Sequence, residues 1–553
     1  MKRLENFYKE LMGHTKELEK KNNHFVKQAA ILAAASLLVR LIGFFYRIPL
    51  TRLVGDEGNA FYLSAYYVYA FAITLTSGAL PAAISKLVSE RIATGRYSDA
   101  HELFKTALGF AAAVGALVAF FMFFWADWLT NLRFFNFPEA AYSVRALAPT
   151  IFAVALLAVF RGYFQGMNTM VPTAISQVIE QILNAGFSLW LAHVFIRTTR
   201  VELAAAGAAA GTGIGVVAGL IVAGGCYLLV AKKIRVRAAG NRHTHSLAES
   251  GEKREDQIKA LLLTAFPIII GMGIYQIANF IDIGMARDRI MSSGFFTEDE
   301  VVEMVGQFTG KFLLLTTLPV ALSVALSQAV IPDISSSRAV MDKGAVKEKI
   351  NTAMRISMTL SIPAVVGLSV LADPILALLL PDHPEGGWLL RYGAVSIIFL
   401  ALVQVSTGAL QGIGKVLLPA IAAFFGVLIK IPVNWFLLAV PGINILGAVI
   451  STIVCYVVAA GINLVFLYKH TGVMPDYVRA FGKPAFASLG MGLVCFITHY
   501  MVGLIAPDRV ATVLALGAGV PVYLVLMWMV GGFSHKDVDS APLPKAWRKW
   551  LKS

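Results

Sequence analysis

The sequence predicts an all-α, polytopic membrane protein with 14 transmembrane helices: two parallel six-helix bundles and two further C-terminal helices. Three observations carry this. First, 57% of the 553 residues are hydrophobic and 14% charged, with a mean hydropathy of +0.70, where soluble domains carry about 25% charged residues. Apolar runs of about 20 residues, enough to cross a hydrocarbon core of about 30 Å, recur along nearly the whole chain. Second, the basic residues alternate: counting those near span ends with the adjoining connection, 34 of the 47 Lys and Arg belong to the N-terminal segment and every second connection, 10 belong to the opposite connections and 3 lie deep inside spans. Such an alternation fixes orientation and places both termini in the cytoplasm. Third, the chain echoes itself. Gln165-Gly166 closes one apolar run and Pro172 opens the next, as Gln411-Gly412 and Pro419 do, and Thr106 and Thr352 each precede their Gln by 59 residues. Leu80–Ser85 aligns with Leu322–Ser327 in the same echo. With an even number of spans per unit, the two units run parallel, related by an axis along the membrane normal.

Residues 1–26 are charged, with Leu4, Phe7, Tyr8, Leu11 and Leu18 at helical spacing; they read equally as an interfacial helix and as a solvated cytoplasmic tail. Spans at 27–50, 60–82, 105–128, 143–164, 171–197 and 203–230 form the first unit, 27–230. A basic cytoplasmic linker, 231–257, leads to the second unit, 258–468, with spans at 258–285, 304–332, 349–379, 387–412, 417–440 and 444–468. Two more spans, 482–505 and 510–531, precede a tail, 532–553, whose Trp547, Arg548, Lys549 and Trp550 read as an anchor at an anionic membrane surface. Glycine suits a helix C-terminus and proline the first helical turn. Arg161–Gln181 is therefore a helix–turn–helix corner, used again at Leu410–Pro419.

The net charge of +14 is spread over orientation loops, which argues against nucleic acid. Cys226, Cys455 and Cys495 all lie inside apolar runs with no metal-ligand spacing, and the two histidines of Arg242–His245 sit in the linker; neither a metal nor a cofactor is expected. No P-loop, dinucleotide turn or HExxH is present, which favours a transporter over an enzyme.

A basic side chain at the centre of a span costs roughly 2.5–3.5 kcal/mol on insertion scales and must face a wet cavity or a partner. Arg40 in the first span, Lys311 in the eighth and Lys430 in the eleventh are the deep cations, and Arg47 lies two turns beyond Arg40 on nearly the same face. The acids are Glu180, flanked by Gln177 and Gln181, and Asp282. Ion pairs within the bundle, such as Arg40 with Asp282, would account for any one of these. As a population, though, the deep charges are cationic in both halves, which suits an anion: arginine offers bidentate phosphate contacts and lysine a point charge. Arg40, Arg47 and Lys311 are the candidate head-group residues, with Arg40 and Lys311 expected to converge on one anion. Lys86, Arg161, Glu180, Gln181, Asp282, Lys430 and Asn434 are secondary cavity or gating candidates. Lys430 and Asn434 share a helix face, and an ammonium there disfavours a bound sodium ion.

With these residues in place, the chain resembles the MurJ-type lipid II flippases of the multidrug/oligosaccharidyl-lipid/polysaccharide exporter superfamily, in the Gram-positive branch that also contains sporulation flippase-like proteins. The resemblance rests on RLIGFFYRIPL (Arg40–Leu50), GALPAAISKLVSE (Gly78–Glu90), RGYFQGMNTMVPTAISQVIEQ (Arg161–Gln181) and the segment beginning at Leu318, with LQGIGK (Leu410–Lys415) as its echo. It implies a V-shaped, two-lobed transporter of the bacterial plasma membrane working by alternating access. A cation-lined cavity would hold the head group of an undecaprenyl-diphosphate-linked glycan such as a peptidoglycan precursor, with the last two spans grooved for the lipid tail, membrane lipids as the surroundings and a monomer sufficing. One departure matters: better-known Gram-negative members carry a basic residue in the middle of the second span, whereas Ala65–Leu80 here holds no charge. Flippases for other lipid-linked glycans or a sporulation paralogue, a multidrug cation antiporter of the same fold, and an intramembrane glycan polymerase are the alternatives.

Overall fold

The computed structural model describes residues 2–132, 137–167, 169–197, 200–240, 253–339 and 341–532. Every regular element among them is helical, and no strand occurs among the described residues. The tail beyond 532 and the Arg242–His245 stretch lie outside the described residues, as do the side chains of 1–30.

The first helix, α1 (Lys2–Ile73), is a hairpin. Gly55 takes φ 70, ψ −173 inside it, a left-handed conformation that costs glycine no Cβ clash. Contacts across this bend show that the chain reverses. The Thr51 hydroxyl donates to Asn59 Oδ1 at 3.4 Å, and the Arg47 guanidinium lies 4.8 Å from the centre of the Tyr62 ring. In a straight helix, 15 residues would separate the last pair by about 22 Å. The backbone of residues 2–26 continues the first arm without a break. After a π turn at Thr74–Gly78, α2 (Leu80–Ala93) completes the second arm.

The chain continues through α3 (Tyr97–Phe124), the short α4 (Ala126–Thr130), α5 (Ala141–Gly166), α6 (Val171–Ile196) and α7 (Val201–Gly240). α7 runs on to Gly240 and α8 (Arg254–Met291) starts at Arg254, so both helices reach into the stretch 231–257. Next, α9 (Glu298–Gln307) opens with a capping box. The Thr297 N–H donates to the Glu300 carboxylate at 2.8 Å, which holds the Glu300 carboxyl below its usual range. A second π turn, Phe308–Phe312, leads into α10 (Leu313–Ala339). The remainder is α11 (Lys343–Val370), α12 (Ala372–Leu379), α13 (Gly387–Gly393), α14 (Ser396–Gly412), α15 (Leu417–Leu437), α16 (Leu446–Thr471), α17 (Lys483–Gly503) and α18 (Asp508–Met529).

Among the described residues, ten helices are long and apolar enough to cross a membrane, or eleven if α13 and α14, bent by 51° at their break, make one span. One of these stretches, Ala34–Ile92, is 59 residues long and contains the Gly55 reversal. The chain is thus a multi-pass helical membrane protein.

The two corners are packed alike. In α5, Gly162 and Gly166 let α2 approach so closely that a methyl on Gly166 would meet the Val88 Cβ at 2.8 Å. In α14, Gly408 and Gly412 do the same for α10, and a methyl on Gly412 would meet the Ile334 Cβ at 2.9 Å. Both are small-xxx-small contacts, the spacing with which helices in a bilayer bring their backbones together. Gly166 and Gly412 differ by 246 positions, as do Val88 and Ile334, and so do Thr106 and Thr352. This corrects one part of the echo: Leu80–Ser85 corresponds to residues 326–331, one helical turn beyond the Leu322–Ser327 alignment.

Candidate functional site

Lys86 apart, the candidate side chains and their partners fall into four places. The largest joins the two halves at the end of the molecule where α1 folds back, here called the hairpin end. Lys311 sits in the Phe308–Phe312 π turn and is 1% exposed. Its Nζ lies 2.6 Å from Asp56 Oδ2, next to the Gly55 bend, and donates to the Glu385 carbonyl at 2.9 Å, with the Glu385 carboxylate 3.9 Å away. The halves touch backbone to backbone beside this pair: a methyl on Gly306 would overlap the Asp56 carbonyl, and one on Gly310 would meet Asn59 Cγ at 2.9 Å. Arg52 donates to the carbonyls of Leu378 and Leu379. A second fully buried cation, Arg287 on α8, bonds Glu139 of the first half at 3.2 Å, pairs with Glu298, and lies 4.6 Å over the Phe137 ring. Two cations buried this deeply are tolerable only because carboxylates and carbonyls surround them.

The second place is internal to the C-terminal half. Lys430 on α15 lies 2.6 Å from Asp282 Oδ2 on α8 and donates to the Thr452 hydroxyl on α16 at 3.0 Å. Asn434, one turn along α15, donates to the other Asp282 oxygen at 2.9 Å. Three helices are pinned by one carboxylate.

The third is the corner of the N-terminal half. Arg161 at the end of α5 lies 2.5 Å from Glu180 on α6 and donates to the Ser176 hydroxyl at 3.2 Å. Gln181 packs against α1 where Gly43 leaves room: a methyl there would meet its amide nitrogen at 3.4 Å.

The fourth comprises Arg40 and Arg47 on the first arm of α1. Arg40 is exposed, donates to the Ala321 carbonyl on α10 at 3.3 Å, and pairs with no carboxylate among the described residues. Arg47 stacks on Tyr62, and its Nη1 is buried without a hydrogen-bond partner among the described residues.

The expected convergence of Arg40 and Lys311 is not what this state holds. Arg40 reaches Ala321, ten residues and about 15 Å along the helix axis from Lys311, and Lys311 is occupied by Asp56 and Glu385. The physical reason is burial: an ammonium inside the closed seam takes the nearest carboxylate in place of facing a cavity. Arg40 does not pair with Asp282 either, since Asp282 is taken by Lys430. Lys86 lies away from all four places, on the surface of α2, 4.0 Å from Glu90 with both side chains more than half exposed. The partners that sequence reasoning missed, Asp56, Glu139, Glu298, Glu385 and Arg287, all lie in or beside the short connections between spans. There a charged residue carries no sign of being buried.

Comparison with known proteins agrees with this architecture. Residues 25–338 match the family described as Polysaccharide biosynthesis protein, and residues 267–436 match the MatE family. The lipid II flippase MurJ of Bacillus subtilis (strain 168) is 26% identical over 527 residues, covering 91% of this chain and 94% of its own. Stage V sporulation protein B of the same organism is 27% identical, covering 78% and 80%. Among solved structures, lipid II flippase MurJ in an inward closed conformation superposes with a TM-score of 0.66 at 16% identity, covering 91% of this chain and 98% of that one. An inward-facing multidrug resistance MATE family transporter gives 0.62 at 17% identity, covering 78% and 94%.

Proposed function

Because the chain belongs to the polysaccharide biosynthesis protein family, in the multidrug/oligosaccharidyl-lipid/polysaccharide exporter superfamily, and is a transporter and not an enzyme, we propose that it flips an undecaprenyl-diphosphate-linked glycan from the cytoplasmic to the outer leaflet by alternating access, with the peptidoglycan precursor lipid II as cargo. The architecture proposed with it is fourteen crossings in two parallel six-helix lobes, 27–230 and 258–468, with α17 and α18 alongside, both termini in the bacterial cytoplasm and one chain sufficing. The Gly55 reversal, the matched glycine contacts and the loop charges support it. On that topology the hairpin end faces outward, and the Asp56–Lys311 and Glu139–Arg287 contacts are the outer gate in its closed state.

Arg40 is the observation that carries the reading. It is a guanidinium deep in a span, without a carboxylate among the described residues, resting on the backbone of the opposite half. An uncompensated cation in that position is costly, and an anionic diphosphate binding beside it would offset the cost. Arg40→Ala is expected to express and fold yet lose flipping, and Arg40→Lys to recover part, because the bidentate contact is lost. The measurement is translocation of fluorescent lipid-linked glycan in reconstituted vesicles, and wild-type flipping by Arg40→Ala would overturn the reading. Cargo other than lipid II is the second reading, favoured by the likeness to stage V sporulation protein B; depletion followed by identification of the accumulating lipid-linked intermediate separates the two.

A further inference from the structure

One group of side chains in the N-terminal half has no role in gating or in holding the corner. Tyr62, Tyr66 and Tyr69 follow at i, i+4 and i+7 on the second arm of α1 and therefore share a face. The Tyr62 and Tyr66 rings are stacked, 6.1 Å apart at 20°, and the Tyr66 and Tyr69 rings are tilted, 5.5 Å apart at 56°. Exposure differs sharply within the ladder: Tyr62 and Tyr69 are each 2% exposed, whereas Tyr66 is 38% exposed. Two buried rings thus brace a third that offers free surface. At the Tyr62 end lies Arg47, with its unpartnered buried Nη1. The Tyr66 side chain is within electrostatic range of both Arg47 and Glu180. Hydrocarbon excludes such charged groups, so a ring near them is poorly suited to anchoring in lipid.

We propose that Tyr66 is a stacking platform for a pyranose ring of the cargo head group, with the Arg47 guanidinium donating to the polar rim of that sugar. The proposal rests on the lipid-linked glycan reading and adds the moiety that this part of the site takes. A pyranose presents a face of weakly positive C–H groups, and an aromatic face is negative, so the two attract in addition to the apolar area they bury. The sugar's hydroxyl rim accepts hydrogen bonds, and a charged donor makes the stronger kind. Bracing by Tyr62 and Tyr69 fixes the Tyr66 ring before cargo arrives, which reduces the ordering cost of binding. A neutral aromatic surface in a span that carries no charge between Ala65 and Leu80 selects for sugar, where a basic residue would select for phosphate.

The test uses full-length protein in nanodiscs and two probes: undecaprenyl diphosphate bearing a disaccharide, and undecaprenyl diphosphate alone. Tyr66→Leu keeps an apolar side chain in the ladder but removes the ring face; it is expected to weaken binding of the disaccharide lipid about tenfold, the equivalent of one lost contact of this type, and to leave bare undecaprenyl diphosphate unchanged. Tyr66→Phe and Tyr66→Trp, which keep the face, are expected to bind both lipids as wild type does. Equal weakening toward both probes by Tyr66→Leu, or an unchanged affinity for the disaccharide lipid, would overturn the platform while leaving the flippase reading intact. A loss in Tyr66→Phe as large as in Tyr66→Leu would also overturn it, since the hydroxyl would then be the contact. If wild type binds neither probe, the flippase reading fails and takes the platform with it.

Discussion

Two lysine–aspartate pairs in this molecule have the same length, 2.6 Å, and nearly the same burial, yet they join different things. Asp282–Lys430 ties α8 to α15 within the C-terminal half, with Asn434 and Thr452 completing the shell. Asp56–Lys311 ties the α1 hairpin to the π turn before α10, across 255 residues and from one half of the chain to the other. Buried pairs repay their desolvation poorly compared with apolar side chains, so neither is explained by stability alone. The first lies inside a unit that has no need to come apart. The second lies on a seam that must open in the alternating-access cycle proposed above, and there its modest net strength is useful. A pair that contributes little beyond its own desolvation can be broken and remade, whereas a dry apolar seam of equal area could not.

The largest expected effect comes from removing one partner. Asp56→Asn leaves the Lys311 ammonium buried with no carboxylate at Oδ2 distance, a cost of about 3–5 kcal/mol in cases of this kind. It is expected to shift the population away from the state closed at the hairpin end, read as faster labelling of a cysteine placed at Asn59. Asp282→Asn should cost a similar amount, but as a lower melting temperature without a change in that labelling. Equal labelling of the two variants would erase the distinction between the pairs.

Replacing both partners by apolar residues sharpens the comparison. Such swaps are often neutral, or stabilising by about 1–4 kcal/mol. Asp56→Leu with Lys311→Met is expected to melt no lower than wild type and to stop transport, because the seam no longer opens. Asp282→Leu with Lys430→Met is expected to keep both fold and transport. Transport surviving in the first double variant would show that the Asp56–Lys311 pair is not a gate. The smallest effect belongs to Lys86→Ala. An exposed i,i+4 pair is worth about 0.3–0.5 kcal/mol, so neither the melting temperature nor the flipping rate should move measurably.

The sequence made the helices legible because lipid leaves no alternative: an apolar run of span length must satisfy its backbone internally, and the loop charges then order the runs. The corner at Arg161–Gln181 was legible for a similar local reason, since Gly166 and Pro172 act on their own turns. The echo between Leu80 and Leu322 is off by one turn because alanine- and leucine-rich helices look alike at every register. The 246-residue offset of Thr106 and Thr352 already differs from it, and the close approach of Gly166 to Val88 and Gly412 to Ile334 agrees with that offset. Lys311 and Lys430 stood out in the sequence because charge in a span is rare. Their partners did not all do so. Asp282 sits inside a span, where a charge stands out, whereas Asp56 follows Gly55 in what reads as an ordinary turn. Nothing local distinguishes a carboxylate in water from one folded against a lysine 255 residues later. Tyr66 was hidden differently, because aromatic residues are common in membrane spans and only the burial of its neighbours sets it apart.

Lys430 has a consequence beyond the fold. A site that holds a mobile cation is filled only as far as the surroundings supply that cation, so the stiffness it lends varies with ionic composition. An ammonium tethered to α15 is at full occupancy in any medium. If the C-terminal half is held this way, replacing sodium at constant membrane potential should leave transport unchanged, and its loss would show that a soluble ion is still required. The half of the molecule that has no need to come apart would then behave alike in dilute and saline surroundings.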